Sequence, residues 1–322
     1  MEVFIQKPIG NINMNTCLLC KSNKIKNIQK IKTSSIINLY QKELNIDVKE
    51  ELFGYEYINA LKCANCKLVF FNPIIAGSEK FYENLQKLDS VYYSDLRPEF
   101  LHAIQFINKS DTVLEIGSGS AHFAEKLNNK NYVGLEYNQE AIDKAAKKGI
   151  ILLKQSIEEF AEKNHEKFDV VCSFHVLEHV TNPYTFIESS LKTLKKGGTF
   201  ICAVPCSNSF LTSNHNHVLN IPPHHISRWN SKTFEYVCEE FNLSLQNLYN
   251  DKISNNRNYF ELKVKTTFFN FFIQKKQILI NDKFIKIFDN LFKKINRFFS
   301  IYKFVSSKNN MGQNIMIIAT KN

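Results

Sequence analysis

Four paired cysteines, two short groups of histidines and a glycine turn between carboxylates carry the chemistry in this 322-residue chain. Cys17-Leu18-Leu19-Cys20 and Cys63-Ala64-Asn65-Cys66 are two Cys-x-x-Cys pairs separated by residues 21–62. Each pair forms a knuckle whose two thiolates point at one centre. Two knuckles supply the four soft ligands of a tetrahedral zinc ion. All four positions are then filled by protein and none is open for a substrate, so the expected zinc is structural. Cys172, Cys202, Cys206 and Cys238 lie in or beside apolar runs and read as small buried side chains.

The second constellation is Glu115-Ile116-Gly117-Ser118-Gly119, with Glu136 further on. Glycines let a ligand come close to the backbone. Glu136 can accept hydrogen bonds from both hydroxyls of a ribose, and Glu115 can meet a positively charged amino group. A phosphate-binding loop would avoid these carboxylates, and the GxGxxG turn of a nicotinamide-binding domain is absent. Among the histidines, His175 follows an apolar run, His179 sits in Leu177-Glu178-His179-Val180, and His224-His225 follow two prolines. Imidazole is suited to taking a proton at neutral pH. The His224-His225 pair and His175 are the candidates for that role, and His179 reads as a capping or packing residue. An alternative for the pair is a metal shared with His215 or His217.

These residues need elements to hold them. Residues 112–116, 132–136, 150–153, 168–173 and 199–204 read as strands, with helices from 121, near 139–147 and over 183–196 between them. Strands alternating with helices predict a parallel sheet covered on both faces. Both His175 and the glycine turn then fall at carboxyl ends of strands, where open α/β sheets bind ligands. In front, residues 55–71 read as strand, knuckle and strand, as in a zinc ribbon, with a two-stranded insertion expected between the cysteine pairs. Residues 78–108 read as a helical connector, where Tyr92 and Tyr93 could close the pocket. Residues 312–320 read as a last strand. Before it, Phe284, Phe288, Leu291, Ile295, Phe298, Tyr302 and Val305 recur at helical spacing opposite Lys286, Lys293 and Arg297. That basic amphipathic helix, 284–305, covers the sheet or a dimer partner, or else meets a membrane face.

The run VLEIGSGSAHFAEKL, then GLEYN, FDVVCSFHVLEHVTNP and LKKGGTFICAVP, resembles class I S-adenosylmethionine (SAM)-dependent methyltransferases over about residues 100–250. The resemblance implies an α/β, Rossmann-like seven-stranded sheet with helices on both faces. It places Gly117 and Gly119 along the SAM loop, Glu115 at the methionine end, Glu136 on the ribose and Tyr137 against the adenine. Ser156 and Ile157 would flank the adenine, and Phe174 and His175 would face the reacting end. Ala121 stands where the family often has a further glycine, and Ser156 where aspartate is common. With the cysteines, the chain is similar to bacterial methyltransferases carrying an N-terminal zinc-binding domain, a group linked to deoxysugar or surface-polysaccharide synthesis, and Pro222–Trp229 also resembles a segment of that group. The implied organisation is a zinc-binding domain (1–77), a helical connector (78–108), a methyltransferase domain (109–251), a helical basic insertion (252–310) and the final, reversed strand (311–322).

Net charge is +10, but only Arg97, Arg228, Arg257 and Arg297 among the 41 basic residues are arginines. Arginine is the residue suited to bidentate phosphate and base recognition, so nucleic acid is a disfavoured partner. The first residues show no long apolar run, and no stretch approaches about 18 uncharged apolar residues. The cytoplasm is the expected location, where thiols stay reduced and paired cysteines point to metal. The expected function is methylation of a sugar hydroxyl or carbon by way of a histidine base. An RNA methyltransferase and a non-catalytic SAM-binding module are the alternatives.

Overall fold

The computed structural model describes residues 15–88, 97–127, 129–208, 216–252, 278–279 and 311–322. The helix expected at 284–305, together with Tyr92, Tyr93 and His215, lies outside them. The front of the chain builds β1 (Ile25–Lys32), α1 (Thr33–Leu44), β2 (Tyr57–Cys63) and β3 (Val69–Asn72). The segment between the cysteine pairs therefore holds β1, α1 and most of β2, with a helix between two paired strands where a two-stranded insertion alone was expected. The reason is periodicity: Ile36, Leu39 and Tyr40 are buried along one helical face. The helix stops at Asn45, which takes the left-handed conformation. There the amides of Asn45 and Ile46 donate to the carbonyls of Gln41 and Tyr40.

Next come α2 (Glu79–Gln86) and α3 (Pro98–Ile104), then β4 (Val113–Ile116), α4 (His122–Leu127), β5 (Tyr132–Leu135), α5 (Gln139–Ala146), β6 (Leu152–Leu153) and α6 (Ile157–Ala161). They are followed by β7 (Phe168–Phe174), α7 (Pro183–Thr193), β8 (Leu194–Pro205), β9 (Ser227–Arg228), α8 (Ser231–Glu240), β10 (Leu243–Lys252) and β11 (Met311–Lys321). Seven strands form one sheet in the order β10-β11-β8-β7-β4-β5-β6. The pairs β4–β5, β5–β6, β4–β7 and β7–β8 are parallel, and β11 runs antiparallel to both β8 and β10. Both faces are covered, so all four residues of β4 are buried and it reads as a continuous apolar run around Glu115. The chain winds from β4 toward β6 on one side and from β7 toward β8 on the other. The carboxyl ends of β4 and β7 thus flank the switch point, the place where such sheets bind ligands.

The front unit and the large sheet share structure. β9 adds to the front sheet beside β3, pairing Val69 with Arg228 and Phe70 with Ser227. Phe71 donates its amide to Ile226, Gly77 to Pro223, and the Tyr40 hydroxyl reaches the Ile221 carbonyl at 3.0 Å. One apolar core runs from Leu18 and Leu19 through Phe70 and Trp229 into Phe200 and Ile317. Ile278 and Leu279 of the long insertion dock on β1 through the Gln29 side chain. Among the described residues no helix is long and apolar enough to cross a membrane.

Candidate active site

The two cysteine knuckles are built alike. In each, the first cysteine's amide donates to a carbonyl five residues on, Cys17 to Ser22 and Cys63 to Leu68. In each, a lysine with positive φ follows the second cysteine, Lys21 at 54° and Lys67 at 63°. Each of those lysines folds its ammonium back onto a carbonyl inside its own knuckle, Leu18 or Ala64. The four sulfurs lie within 4.8 Å of one another, with Cys17 and Cys66 at 3.5 Å and Cys20 and Cys63 at 3.4 Å. Zinc–sulfur bonds of about 2.3 Å in a tetrahedron set sulfurs about 3.8 Å apart. The sulfurs fit such an ion, and no disulfide links them.

The glycine turn leaves β4 with Gly117 at φ 75° and Gly119 at φ 51°. Ala121, where a further glycine is common, also has positive φ, 60°. Glu136, at the end of β5 and 5% exposed, gathers three backbone donors. Its Oε2 accepts from the Gly119 amide at 2.7 Å, and its Oε1 from the amides of Tyr137 and Asn138, each at 2.9 Å. This carboxylate binds turn to strand and presents an acceptor rather than a cation. Glu115 is buried, and its carboxyl takes the hydroxyl of Tyr132. Burial drives its pKa up, with the Glu136 charge adding to the rise, and the group titrates at about 8.

The turn is seated on the segment that carries the histidines. A Cβ on Gly117 would lie 2.2 Å from Cγ2 of Val176, a stiff β-branched side chain. Gly117→Ala therefore combines an unfavourable positive φ with a clash. It is expected to cost about 2–4 kcal/mol of stability, from overpacking and left-handed strain together. SAM affinity should fall with it, and thermal melting with S-adenosylhomocysteine titration checks both. An alanine variant that melts and binds like the parent contradicts this seating.

His175 directly follows β7 with φ 59°, unusual for a side chain bearing a Cβ. Its Nε2 lies 2.8 Å from Glu99 Oε1 on α3, and its Nδ1 3.5 Å from Glu178 Oε1. Burial alone would lower its pKa, but hydrogen bonds to Glu178 and Glu99 raise it to about 9. At neutral pH His175 is thus a cation between two carboxylates, which suits orientation and charge stabilisation and not proton uptake.

The short 3-10 helix Leu177–His179 then faces the loop from Ile221 to Ile226. His179 Nδ1 donates to the His224 carbonyl at 2.6 Å, and the Tyr82 hydroxyl of α2 lies 3.2 Å from the same nitrogen. His224 Nδ1 donates to the Leu219 carbonyl at 2.7 Å, and His225 Nδ1 lies 3.2 Å from Asn220 Oδ1. The Glu178 carbonyl accepts the Ile226 amide, which ties loop to turn. Nε2 of His179 and of His225 each lie 3.9 Å from Glu178 Oε1. Burial holds His224 and His225 well below the usual histidine range, so both are neutral.

The residues expected around the adenine are placed as follows. Ser156 caps α6, accepting the Glu159 amide while Glu159 reaches back to the Ser156 amide. Ile157, the first residue of α6, is buried in the apolar core. Tyr137 is half-buried beside Glu136. Phe174 packs between Phe100 and Phe123, at 4.9 and 4.7 Å between ring centres, inside the core near the expected reacting end. The sequence reading left out Glu99 and Glu178 and assigned His179 to packing. The spacing in His175-x-x-Glu178-His179 was the available signal for two of these. Nothing local to α3 marks Glu99.

A profile of the methyltransferase domain family matches residues 86–248, about half of the chain. The chain belongs to that family. Among its relatives, an uncharacterised protein of Methanocaldococcus jannaschii is 36% identical over 98 residues, covering 30% of this chain and 46% of that protein. The ubiquinone biosynthesis O-methyltransferase of Hydrogenovibrio crunogenus is 29% identical over 113 residues, or 32% of this chain and 46% of that one. The chain spans less than half the length of these curated relatives. A solved SAM-dependent methyltransferase from Archaeoglobus fulgidus aligns with 69% of this chain and 91% of its own at 17% identity and a TM-score of 0.44. One from Thermotoga maritima aligns with 76% and 98% at 17% identity and a TM-score of 0.48. The seven-stranded unit here is the SAM-dependent methyltransferase domain of that family.

Proposed function

We propose that this methyltransferase moves the methyl group of SAM onto a hydroxyl of a sugar carried as a nucleotide-linked or surface-glycan precursor. The observation that carries the reading is the contact of Gly117 with Val176, which sets a cofactor turn directly against a buried histidine–glutamate cluster. The residues fit SAM by their chemistry. Glu136 offers carboxylate oxygens to a ribose diol, and glycine at 117 lets the turn take positive φ while seated against Val176. Glu115 gains its charge most readily when a cationic amino group arrives. Bound SAM supplies an electrophilic methyl on a sulfonium sulfur. Zinc on Cys17, Cys20, Cys63 and Cys66 holds the front sheet, and that sheet holds β9 and the histidine loop.

The chain's own task is to align the acceptor oxygen and receive its proton. His175, charged between Glu99 and Glu178, orients the acceptor. The cluster of His224, His225 and Glu178, whose imidazoles are neutral, receives the proton. An oxygen acceptor agrees with the O-methyltransferase activity named for several relatives, and the sugar rests on the resemblance carried by the two cysteine pairs and Pro222–Trp229. Incubation with SAM and a panel of nucleotide-linked sugars should give one product heavier by one methylene. His225→Ala should lower kcat roughly 100-fold or more, in the range of a lost general base, with S-adenosylhomocysteine affinity unchanged. A phenolic acceptor methylated while every sugar is ignored would move the reading to an aromatic substrate.

A further inference from the structure

We infer that His179, His224 and His225 form a second metal centre, one that binds a divalent transition metal of the zinc or iron(II) class. One ring nitrogen from each of the three lies within 4.8 Å of the others. The decisive feature is what each ring does on its far side. His179 donates through Nδ1 to a carbonyl, His224 does the same, and His225 places Nδ1 on the Asn220 amide oxygen. A nitrogen bonded to an oxygen that only accepts must carry the proton, so Nε2 is the acceptor in every ring. Metal-binding histidines are oriented in this way, their other N–H held by a carbonyl or carboxylate.

The His175 cation reaches Glu178 Oε1 at 3.5 Å, but the packing sets two further acceptors against that same oxygen. Nε2 of His179 and of His225 both face Glu178 Oε1 at 3.9 Å, which brings acceptors against an acceptor in a buried place. Glu178 is 1% exposed, and its Oε2 has no hydrogen-bond partner among the described residues. A buried carboxylate oxygen left so costs free energy unless a charge or a proton comes to it. Nitrogens on a tetrahedral ion with bonds of about 2.1 Å stand about 3.4 Å apart. The three ring nitrogens lie within 4.8 Å of one another, so an ion between them would draw the rings inward. Three imidazoles suit zinc or iron(II) and leave a coordination position open. The cysteine centre differs in both respects, with soft ligands and no open position.

The chemical consequence rests on the reading under Proposed function, whereas metal binding does not. An acceptor hydroxyl on the open position becomes more acidic. Its O–H bond breaks, and the proton goes to Glu178 Oε2. The oxygen lone pair forms the new O–CH3 bond, and the S–CH3 bond of the sulfonium breaks with its electron pair left on sulfur. His225 then acts as a ligand, and the loss of turnover expected for His225→Ala follows equally.

The test is cobalt(II) titration of the full-length protein that retains its cysteine-bound metal, with S-adenosylhomocysteine binding measured on the same sample. The expected result is one equivalent of cobalt with d–d absorption and no sulfur-to-cobalt charge transfer. Uptake should be lost in His179→Ala and in His225→Gln while S-adenosylhomocysteine still binds. A folded wild-type protein that takes up no cobalt overturns the site, and so does uptake undiminished in both variants. The wild-type result decides by itself if a variant does not fold. Failure to bind S-adenosylhomocysteine would strike the SAM reading and leave the cobalt result standing.

Discussion

Cys63→Ser releases the metal from the cysteine centre and lowers the melting temperature by about 10 °C or more, the shift that a loss of several kcal/mol gives in a domain of this size. Zinc bound to small structural sites contributes apparent free energies of about 10–16 kcal/mol. Much of that is at stake here because Cys63 ends β2 inside the core that also holds Leu61, Phe70 and Trp229. The effect extends to the chemistry through connectivity. β3 carries β9, and β9 closes the loop that presents His224 and His225. Turnover should therefore fall further than S-adenosylhomocysteine affinity, whose determinants lie on β4 and β5. Metal analysis and melting of the purified variant check this. Unchanged metal content would remove the zinc assignment.

Glu136→Ala raises the S-adenosylhomocysteine dissociation constant about 100-fold or more, close to 3 kcal/mol by the tenfold-per-1.4 kcal/mol rule. Two losses add. The ribose hydroxyls lose their acceptor, and the amides of Gly119, Tyr137 and Asn138 lose theirs. Each buried donor so orphaned costs about 1–3 kcal/mol. The turn then loosens as well, so Glu136→Gln, which keeps the shape and one acceptor oxygen, should lie between the parent and alanine. Calorimetric titration reads all three. An alanine variant that binds like the parent contradicts the ribose role.

Much of this architecture is legible in the chain because local chemistry and global position agree. β4 and β7 are continuous apolar runs since both faces are covered. Gly117 and Gly119 stand where positive φ and close approach demand them. Each Cys-x-x-Cys carries its own knuckle geometry, down to the following lysine. What was missed depends on contacts distant in sequence. The helical face of Ile36, Leu39 and Tyr40 was readable but was passed over in favour of strands. The pairing of β9 with β3 joins residues about 158 positions apart, and no local pattern reports it. His179 looks like a cap from its neighbours. It joins His224 and His225 only because the Ile221–Ile226 loop folds back onto the turn that holds it. Glu99 meets His175 across 76 positions for the same reason.

The central claim is that the turn Gly117–Gly119 with Glu136 holds SAM. Calorimetric titration of the purified full-length protein with S-adenosylhomocysteine, with bound metal counted on the same sample, tests it most directly. One-to-one binding that is weakened by Glu136→Ala is the predicted result. A folded, metal-loaded sample that gives no binding heat and no thermal shift would contradict it.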